Sequence, residues 1–165
     1  MNANHKIESG KILGREELRR RVEQWRRSGD HITLANGNFD LLHVGHVRYL
    51  RGAKALRGRL VVAINSDSST RALKGAGRPV MPENERAEIV AALEDVDAVV
   101  IFPELDVRAI IREIRPDIQA KGTDYTEDSV PERDTVLACG GRVAIVGDEK
   151  NHSTSEIIRT QLGRK

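Results

Sequence analysis

Two histidines three residues apart stand in the stretch ANGNFDLLHVGHVRYL, residues 35–50, which begins in a short apolar run. If a helix starts there, the Cβ atoms of His43 and His46 lie about 5–6 Å apart and both imidazoles can reach one ligand. The pair could hold a metal ion, pack as core histidines, or bind an anion such as phosphate. Two histidines leave a zinc site short of ligands. Gly45 and the polar NGNFD turn indicate an open loop, which favours the anion over core packing.

Five compact apolar segments rich in β-branched residues predict the strands that position this pair. They cover residues 31–36, 59–65, 97–102, 117–122 and 141–147, and continuous apolar runs are typical of strands buried on both faces. Segments of helical length alternate with them at residues 44–56, 82–93, 104–114 and 130–139. This alternation predicts an α/β fold: a Rossmann-like, doubly wound, five-stranded parallel sheet with flanking helices, in a single domain.

An amphipathic helix is predicted ahead of the sheet, at residues 15–27. Leu18, Val22 and Trp25 share one stripe of it. We expect this stripe to pack beside the sheet while the arginines of the helix face solvent. The predicted organisation is an N-terminal extension over residues 1–28 and a main domain over residues 29–165.

Helix-start signals support two of the later helices. Pro82 stands where a first helical residue is expected, and Glu83 and Glu85 follow in the electropositive first turn. Ser153 and Glu156 have the spacing of a capping box at the start of a last helix.

The predicted ligand site lies where the first strand gives way to the first crossover helix. Open α/β sheets bind ligands beyond the carboxyl ends of their strands, and the first predicted strand ends near Asn36. Gly37 permits a ligand to approach the backbone closely. The chain then turns and places the two histidines in the first turn of a helix, whose free N–H groups attract phosphate.

The composition excludes several classes of function. Aromatic residues make up 3% of the chain, with Trp25 the single tryptophan, which is too few for a surface that stacks single-stranded nucleic acid. The formal net charge of +2 is far from the clustered excess of a DNA-binding protein. Cys139 is the one cysteine, so neither an internal disulfide nor a multi-cysteine zinc site is possible.

We also expect no membrane partner and a cytoplasmic location. No run approaches the roughly 20 apolar residues of a membrane span. The N-terminal residues lack the apolar segment of a signal peptide.

The stretch NGNFDLLHVGH resembles the signature of the nucleotidyltransferase superfamily marked by His-x-x-His, which cytidylyltransferases and sugar-phosphate adenylyltransferases share. The ordered segments that follow it, among them KGAGRPV, ERAEIVAALEDVDAVVIF, KGTDYT, GGRVAIV and NHSTSEII, are similar to those of the D-glycero-β-D-manno-heptose 1-phosphate adenylyltransferase family. The resemblance covers roughly residues 11–162. It implies a cytidylyltransferase-like domain in its stand-alone form, since no sugar kinase segment is attached.

The resemblance implies that a sugar-phosphate oxygen attacks the α-phosphorus of ATP and expels pyrophosphate, giving ADP-heptose for lipopolysaccharide core or other surface glycans. The implied catalytic residues are His43, His46 and Lys74. The implied nucleotide- and phosphate-binding residues are Asn36, Gly37, Asn38, Phe39, Lys121, Gly122, Asp124, Ser153, Thr154 and Ser155. Further substrate-binding candidates are Asp40, Asn65, Asp67, Arg71 and Arg78. Mg²⁺ is expected with ATP, held by phosphates and water without dedicated protein ligands, and family resemblance implies a homodimer.

Each candidate also has a structural interpretation. Lys74, in a polar loop, and Arg71 could be solvated cations. Asp40 could be a turn residue, Asp124 a helix cap, and Ser153 an ordinary N-cap, while the strand-end residues Asn65 and Asp67 could merely turn the chain.

Asn38 departs from the family pattern, which usually has a small residue there. If its backbone N–H contacts phosphate the change is harmless, which we favour; if its amide reaches the ligand, it would alter nucleotide choice.

Two other functions compete with the adenylyltransferase. A glycerol-3-phosphate cytidylyltransferase shares the chemistry, but that family closes with an Arg-Thr-Glu-Gly-Ile-Ser-Thr type of motif where this chain has NHSTSEII. A nucleotide-binding module without catalysis is disfavoured because His43, His46 and Lys74 are all present.

Overall fold

The computed structural model describes residues 10–149 and 153–161. The elements in chain order are α1 (Arg15–Arg27), β1 (Ile32–Gly37), α2 (Val44–Leu56), β2 (Arg59–Asn65), α3 (Asp67–Lys74), α4 (Glu83–Ala91), β3 (Ala98–Phe102), α5 (Arg108–Ile114), β4 (Ile118–Lys121), α6 (Arg133–Ala138), β5 (Arg142–Ile145) and α7 (Thr154–Gln161). A short 3₁₀ turn, Glu127–Ser129, lies between β4 and α6.

The five strands pair in parallel in the order β3-β2-β1-β4-β5, which confirms the predicted sheet. The first three strands run outward from β1 in one direction, and the chain then returns to lay β4 and β5 on the other side of β1. The strand order therefore reverses between β1 and β4. The crevice beyond the carboxyl ends of these two strands is where such sheets bind ligands.

Alternating strand residues feed two separate cores, one on each face of the sheet. In β2, Val61 and Ala63 join one core, while Val62 and Ile64 join the other. The first core contains apolar residues of α1, α5 and α6, and the second contains those of α2 and α4. Burial on both faces explains why the strands have continuous apolar runs in the sequence.

The segment that precedes β1 packs into the first of these cores. Leu18 and Val22 on the apolar stripe of α1 are each 1% exposed, and Trp25 packs against the same core. Ahead of the helix, the backbone of Leu13 donates to Val99 of β3 at 2.9 Å. Residues 1–9 of the predicted extension lie outside the described residues.

Two aspartates secure the amino ends of the central strands. The carboxylate of Asp117 accepts from the N–H of Ile32 at 2.7 Å, and that of Asp97 accepts from the N–H of Leu60 at 2.7 Å. Asp97 also forms an ion pair with Lys54 at 2.5 Å. Each aspartate immediately precedes a neighbouring strand, so these bonds connect the start of one strand to the start of the next.

The helices differ from the sequence-based expectation in three places. No helix was predicted over residues 67–74, where Lys74 was expected in a polar loop, but the segment forms α3, and the Ser66 hydroxyl caps it by accepting from Ser69 N at 3.2 Å. Pro82 is the N-cap of α4 and not its first helical residue. The helix predicted from residue 104 begins only at Arg108.

The described part of the chain contains no helix that is both long and apolar enough to cross a bilayer.

Candidate active site

A cavity of about 680 Å³ opens beyond the carboxyl ends of the strands, and loops that follow all five strands line it. Most of the candidate residues named from the sequence meet there: Asn36, Gly37, Asn38, Phe39, Asp40, His43, His46, Asn65, Lys74, Arg78, Lys121, Gly122, Asp124, Ser153, Thr154 and Ser155. These residues are up to about 120 positions apart in the chain. The parallel sheet brings them together because every strand ends at the same edge.

Two candidate residues do not line the cavity. Arg71 is exposed on α3. The carboxylate of Asp67 accepts from the buried Arg86 at 2.8 Å, and the N–H of Asp67 donates to Glu83 at 2.6 Å. Asp67 therefore supports the loop structure behind the cavity.

The two histidines cap α2 in a reciprocal arrangement. His43 is the N-cap residue, and its Nδ1 accepts from the backbone of Gly45 at 3.1 Å. The Nδ1 of His46 accepts from the backbone of His43 at 3.3 Å. Because each Nδ1 is an acceptor, the proton of each neutral ring lies on Nε2. The two rings stack with their centroids 3.9 Å apart, and both residues line the cavity.

Burial keeps His46 neutral. Desolvation, assisted by the nearby His43, lowers the pKa of His46 to about 4. The ring of Phe39, whose side chain is 4% exposed, lies with its centroid 5.3 Å from that of His46 and forms part of the apolar surroundings. A neutral imidazole with a fixed Nε2–H serves as a hydrogen-bond donor to a phosphate oxygen without needing a proton from solvent.

The loop between β1 and α2 has a strained backbone that a buried carboxylate holds in place. Phe39 and Leu41 have positive φ angles of 49° and 51°, which costs about 1 kcal/mol or more for each non-glycine residue. Between them, Asp40 is 1% exposed. Its carboxylate accepts from Arg78 Nε at 2.9 Å and from the backbone N–H of Val80 at 2.9 Å. These contacts fit the interpretation of Asp40 as a turn residue with a structural role.

Arg86 supports the loops of this site without lining the cavity, and its role was not predicted from the sequence. Its side chain has no exposed surface. Nη1 donates to the main-chain oxygens of Asn38 at 2.5 Å and Asn65 at 2.9 Å, and Nε donates to that of Met81 at 3.0 Å. One guanidinium thus connects the loops after β1 and β2 to the start of α4. The available signal was an arginine beside Ala87 and Val90, on the apolar face of a predicted helix.

The side chain of Asn38 is hydrogen-bonded to α3. Its Oδ1 accepts from the hydroxyl of Thr70 at 3.0 Å, so the amide oxygen points to α3. This contact supports the view that the departure from the family pattern at Asn38 is harmless.

Two cations of the loop region differ in their surroundings. Arg78 is 17% exposed and paired with Asp40, whereas Lys74 is exposed at the last position of α3 and forms no ion pair with a described residue. Lys74 is therefore the cation of this part of the cavity that is best able to meet a bound anion.

The far rim of the cavity is built from β5 and α7. Thr154 Oγ1 donates to the main-chain oxygen of Asp40 at 2.5 Å and so ties the start of α7 to the strained loop. Ser153 accepts from the N–H of Glu156 at 3.1 Å, which confirms its capping position. Arg48 of α2 forms an ion pair with Asp148 at 2.6 Å. Residues 150–152 of the NHSTSEII region lie outside the described residues.

The described residues offer no protein cage for a metal ion. No group of three histidine, cysteine, aspartate or glutamate side chains is placed to hold one among residues 10–149 and 153–161. Both carboxylate oxygens of Asp40 already accept hydrogen bonds. This donor set fits a magnesium ion whose ligands are mainly phosphate oxygens and water.

The fold places the paired helix-capping histidines of this α/β protein at the point where the strand order of its sheet reverses. The chain belongs to the Cytidylyltransferase-like family, whose model it matches over residues 34–160. It is 47% identical over 152 residues to "Bifunctional protein HldE" of Methylobacillus flagellatus, covering 92% of this chain and 31% of that protein. It is also 47% identical over 163 residues to "Bifunctional protein HldE" of Syntrophotalea carbinolica, covering 98% of this chain and 33% of that protein.

The chain thus spans about a third of the length of these curated relatives. Among solved structures, it is similar to a lipopolysaccharide core biosynthesis protein from Thermoplasma volcanium. The TM-score is 0.65 and the identity 29%, and the match covers 74% of this chain and 100% of that chain.

Proposed function

We propose that the protein is a nucleotidyltransferase that transfers AMP from ATP to D-glycero-β-D-manno-heptose 1-phosphate, giving ADP-heptose and pyrophosphate. The observation that carries the proposal is the pair of stacked imidazoles that line the cavity, each with Nδ1 accepting from a backbone N–H group. The similarity to the HldE proteins and to a lipopolysaccharide core biosynthesis protein supports the sugar substrate and a role in lipopolysaccharide or other surface glycan synthesis.

In the proposed reaction, an oxygen of the sugar phosphate attacks the α-phosphorus of ATP, and the bond from that phosphorus to the pyrophosphate oxygen breaks. The electron pair leaves with pyrophosphate. His43 and His46 donate from Nε2 to phosphate oxygens, and their bonds strengthen as charge develops in the transition state. The neutral state of His46 keeps this donor in place over the physiological pH range.

Other residues position and neutralise the phosphates. Backbone N–H groups of Gly37 and Asn38 offer further donors to the triphosphate, and the positive end of the α2 dipole lies beside them. Lys74 contributes a positive charge near both substrates, and the N-terminal turn of α7 at Ser153 and Thr154 provides a second group of donors. Arg78 supports this arrangement through Asp40.

Magnesium, when bound with ATP, would neutralise phosphate charge and orient the leaving group. It would be held by phosphate oxygens and water, consistent with the lack of a carboxylate cage among the described residues. We expect the reaction to take place in the cytoplasm, where ATP is supplied, and a homodimer remains a prediction.

The decisive experiment measures pyrophosphate release by the purified protein with Mg²⁺, testing ATP and CTP against heptose 1-phosphate and glycerol 3-phosphate. Turnover with ATP and the heptose is the expected result. A clear preference for CTP and glycerol 3-phosphate would overturn the assignment. A double variant, His43→Ala with His46→Ala, purified in the same way, controls for contaminating transferases.

A further inference from the structure

A buried lysine and a buried glutamate face each other on the β4 side of the cavity. Lys121 is the last residue of β4, and Glu132 immediately precedes α6. Their side chains are 8% and 7% exposed, Nζ lies 3.3 Å from Oε2, and both residues line the cavity. The ring of Tyr125 covers the lysine, with its centroid 5.3 Å from Nζ.

The Oε2 atom of Glu132 lacks a hydrogen-bond donor among the described residues. The 3.3 Å contact is an ion pair without the geometry of a hydrogen bond, and no other described residue donates to Oε2 of Glu132. A buried carboxyl oxygen without a donor is costly. A ligand that brings an O–H or N–H group into the cavity would satisfy it.

The charge of the pair argues against a phosphate at this position. Lys121 was expected among the nucleotide- and phosphate-binding residues, but its ammonium is compensated by the adjacent Glu132, and burial lowers the pKa of Lys121. A phosphate that reached Nζ would also meet the carboxylate. Lys74 lies elsewhere on the cavity wall, exposed and without an ion pair to any described residue, and is better placed for an anion.

We propose that Lys121 and Glu132 bind a sugar hydroxyl, with Nζ donating to the hydroxyl oxygen and the hydroxyl hydrogen donated to Oε2. A hydroxyl is both donor and acceptor, so it satisfies both members of the pair, whereas a phosphate oxygen serves only the lysine. The inference rests on the proposed function, which supplies two sources of such a hydroxyl: the acceptor sugar and the ribose of the nucleotide. The pair thereby selects the polyhydroxylated part of a substrate.

The test is a calorimetric binding series that needs no turnover. Glu132→Gln retains the size of the side chain, and the double variant Lys121→Met with Glu132→Gln removes both charges, so no uncompensated charge remains buried. Glu127→Gln, an exposed change outside the cavity, is the matched control. The ligands are heptose 1-phosphate, ATP, its 2′-deoxy and 3′-deoxy analogues, and pyrophosphate as a ligand without hydroxyls. Circular dichroism melts verify that each variant folds.

We expect at least one sugar-bearing ligand to bind the double variant about tenfold more weakly, while pyrophosphate binds within twofold of the wild type. A loss confined to heptose 1-phosphate assigns the hydroxyl to the acceptor. If the double variant binds ATP more weakly than the wild type but binds one of the deoxy analogues equally well, the hydroxyl belongs to the ribose. Unchanged affinity for both sugar-bearing ligands, or an equal loss for pyrophosphate, would overturn the proposal.

Failure of the proposed function has a separate signature. A wild-type protein that binds ATP but releases no pyrophosphate with any sugar phosphate contradicts the transferase assignment, and the comparison of ATP with its deoxy analogues still tests the hydroxyl site.

Discussion

Arg86 Nη1 donates to the main-chain oxygen of Asn38 at 2.5 Å from a side chain that has no exposed surface. We expect Arg86→Lys to lower the free energy of unfolding by about 2–4 kcal/mol, because a lysine cannot serve the carbonyls of Asn38, Asn65 and Met81 together. We also expect a higher KM for ATP, since the loop that holds the proposed phosphate-binding residues loses its support. Urea unfolding and steady-state kinetics well below the melting temperature measure the two effects.

Arg112→Lys, an exposed change on α5, is the control for Arg86→Lys and should leave both quantities near the wild type. A variant Arg86→Lys with wild-type stability would show that the buried guanidinium contacts contribute little.

His46 makes the stability of the protein depend on pH in a defined window. Its pKa is lowered to about 4 in the folded protein and is about 6.5 in the unfolded chain. Between these values the unfolded chain binds more protons, so the free energy of unfolding falls as the pH drops from 6.5 to 4. The contribution is about 3 kcal/mol, since one pKa unit corresponds to about 1.4 kcal/mol.

Urea unfolding of wild type and His46→Gln at pH 7 and pH 4 isolates this contribution, because other titrating groups cancel in the difference. The wild type should lose about 3 kcal/mol more than the variant. Equal losses would mean that His46 titrates normally.

The histidine pair also predicts a catalytic defect without a folding defect. His46→Ala should lower kcat by about 10²–10³-fold, the usual cost of removing one fixed donor to a transition-state oxyanion. The melting temperature at pH 7.5 should fall by only a few degrees, the cost of losing the His46 acceptor at the start of α2. Pyrophosphate release gives the rate, and His31→Ala, at an exposed histidine away from the cavity, is the control. Near-wild-type turnover of His46→Ala would make the pair structural.

Gly58 and Gly29 form a matched pair for testing backbone packing. Both have positive φ, 76° and 83°, but a Cβ on Gly58 would lie 2.1 Å from the carbonyl oxygen of His31, whereas one on Gly29 meets open space. Gly29→Ala should therefore cost about 1 kcal/mol of backbone strain, and Gly58→Ala considerably more. Thermal unfolding compares them. Similar melting temperatures for the two variants would contradict the close approach of the backbone just before β1 to the backbone just before β2.

The sheet was predictable from the sequence because strands buried on both faces leave continuous apolar runs, and each predicted strand overlaps an observed one. Helix α3 was missed because its eight residues, DSSTRALK, are too few and too rich in serine and threonine to show a helical period. Its stability depends on the Ser66 cap, a contact that the local pattern does not distinguish from a turn.

The two histidines were visible because their spacing and the glycine-containing turn are local features. Arg86 and Glu132 were not, because their burial depends on partners supplied by other elements. Arg86 reaches carbonyls that are 48 and 21 residues away in sequence, and Glu132 meets the end of a strand. A charged side chain inside a protein is recognisable only once the fold has placed its partners.

The bonds from Asp97 and Asp117 to the starts of neighbouring strands lie at the edge of the sheet remote from the cavity. The two edges consequently differ: the amino edge connects the starts of the strands to one another, and the carboxyl edge forms the cavity. Libraries aimed at thermostability can therefore be confined to the amino edge and its surroundings, away from the cavity. Libraries aimed at substrate range belong to the loops at the carboxyl edge, where sequence changes leave the strand pairing intact.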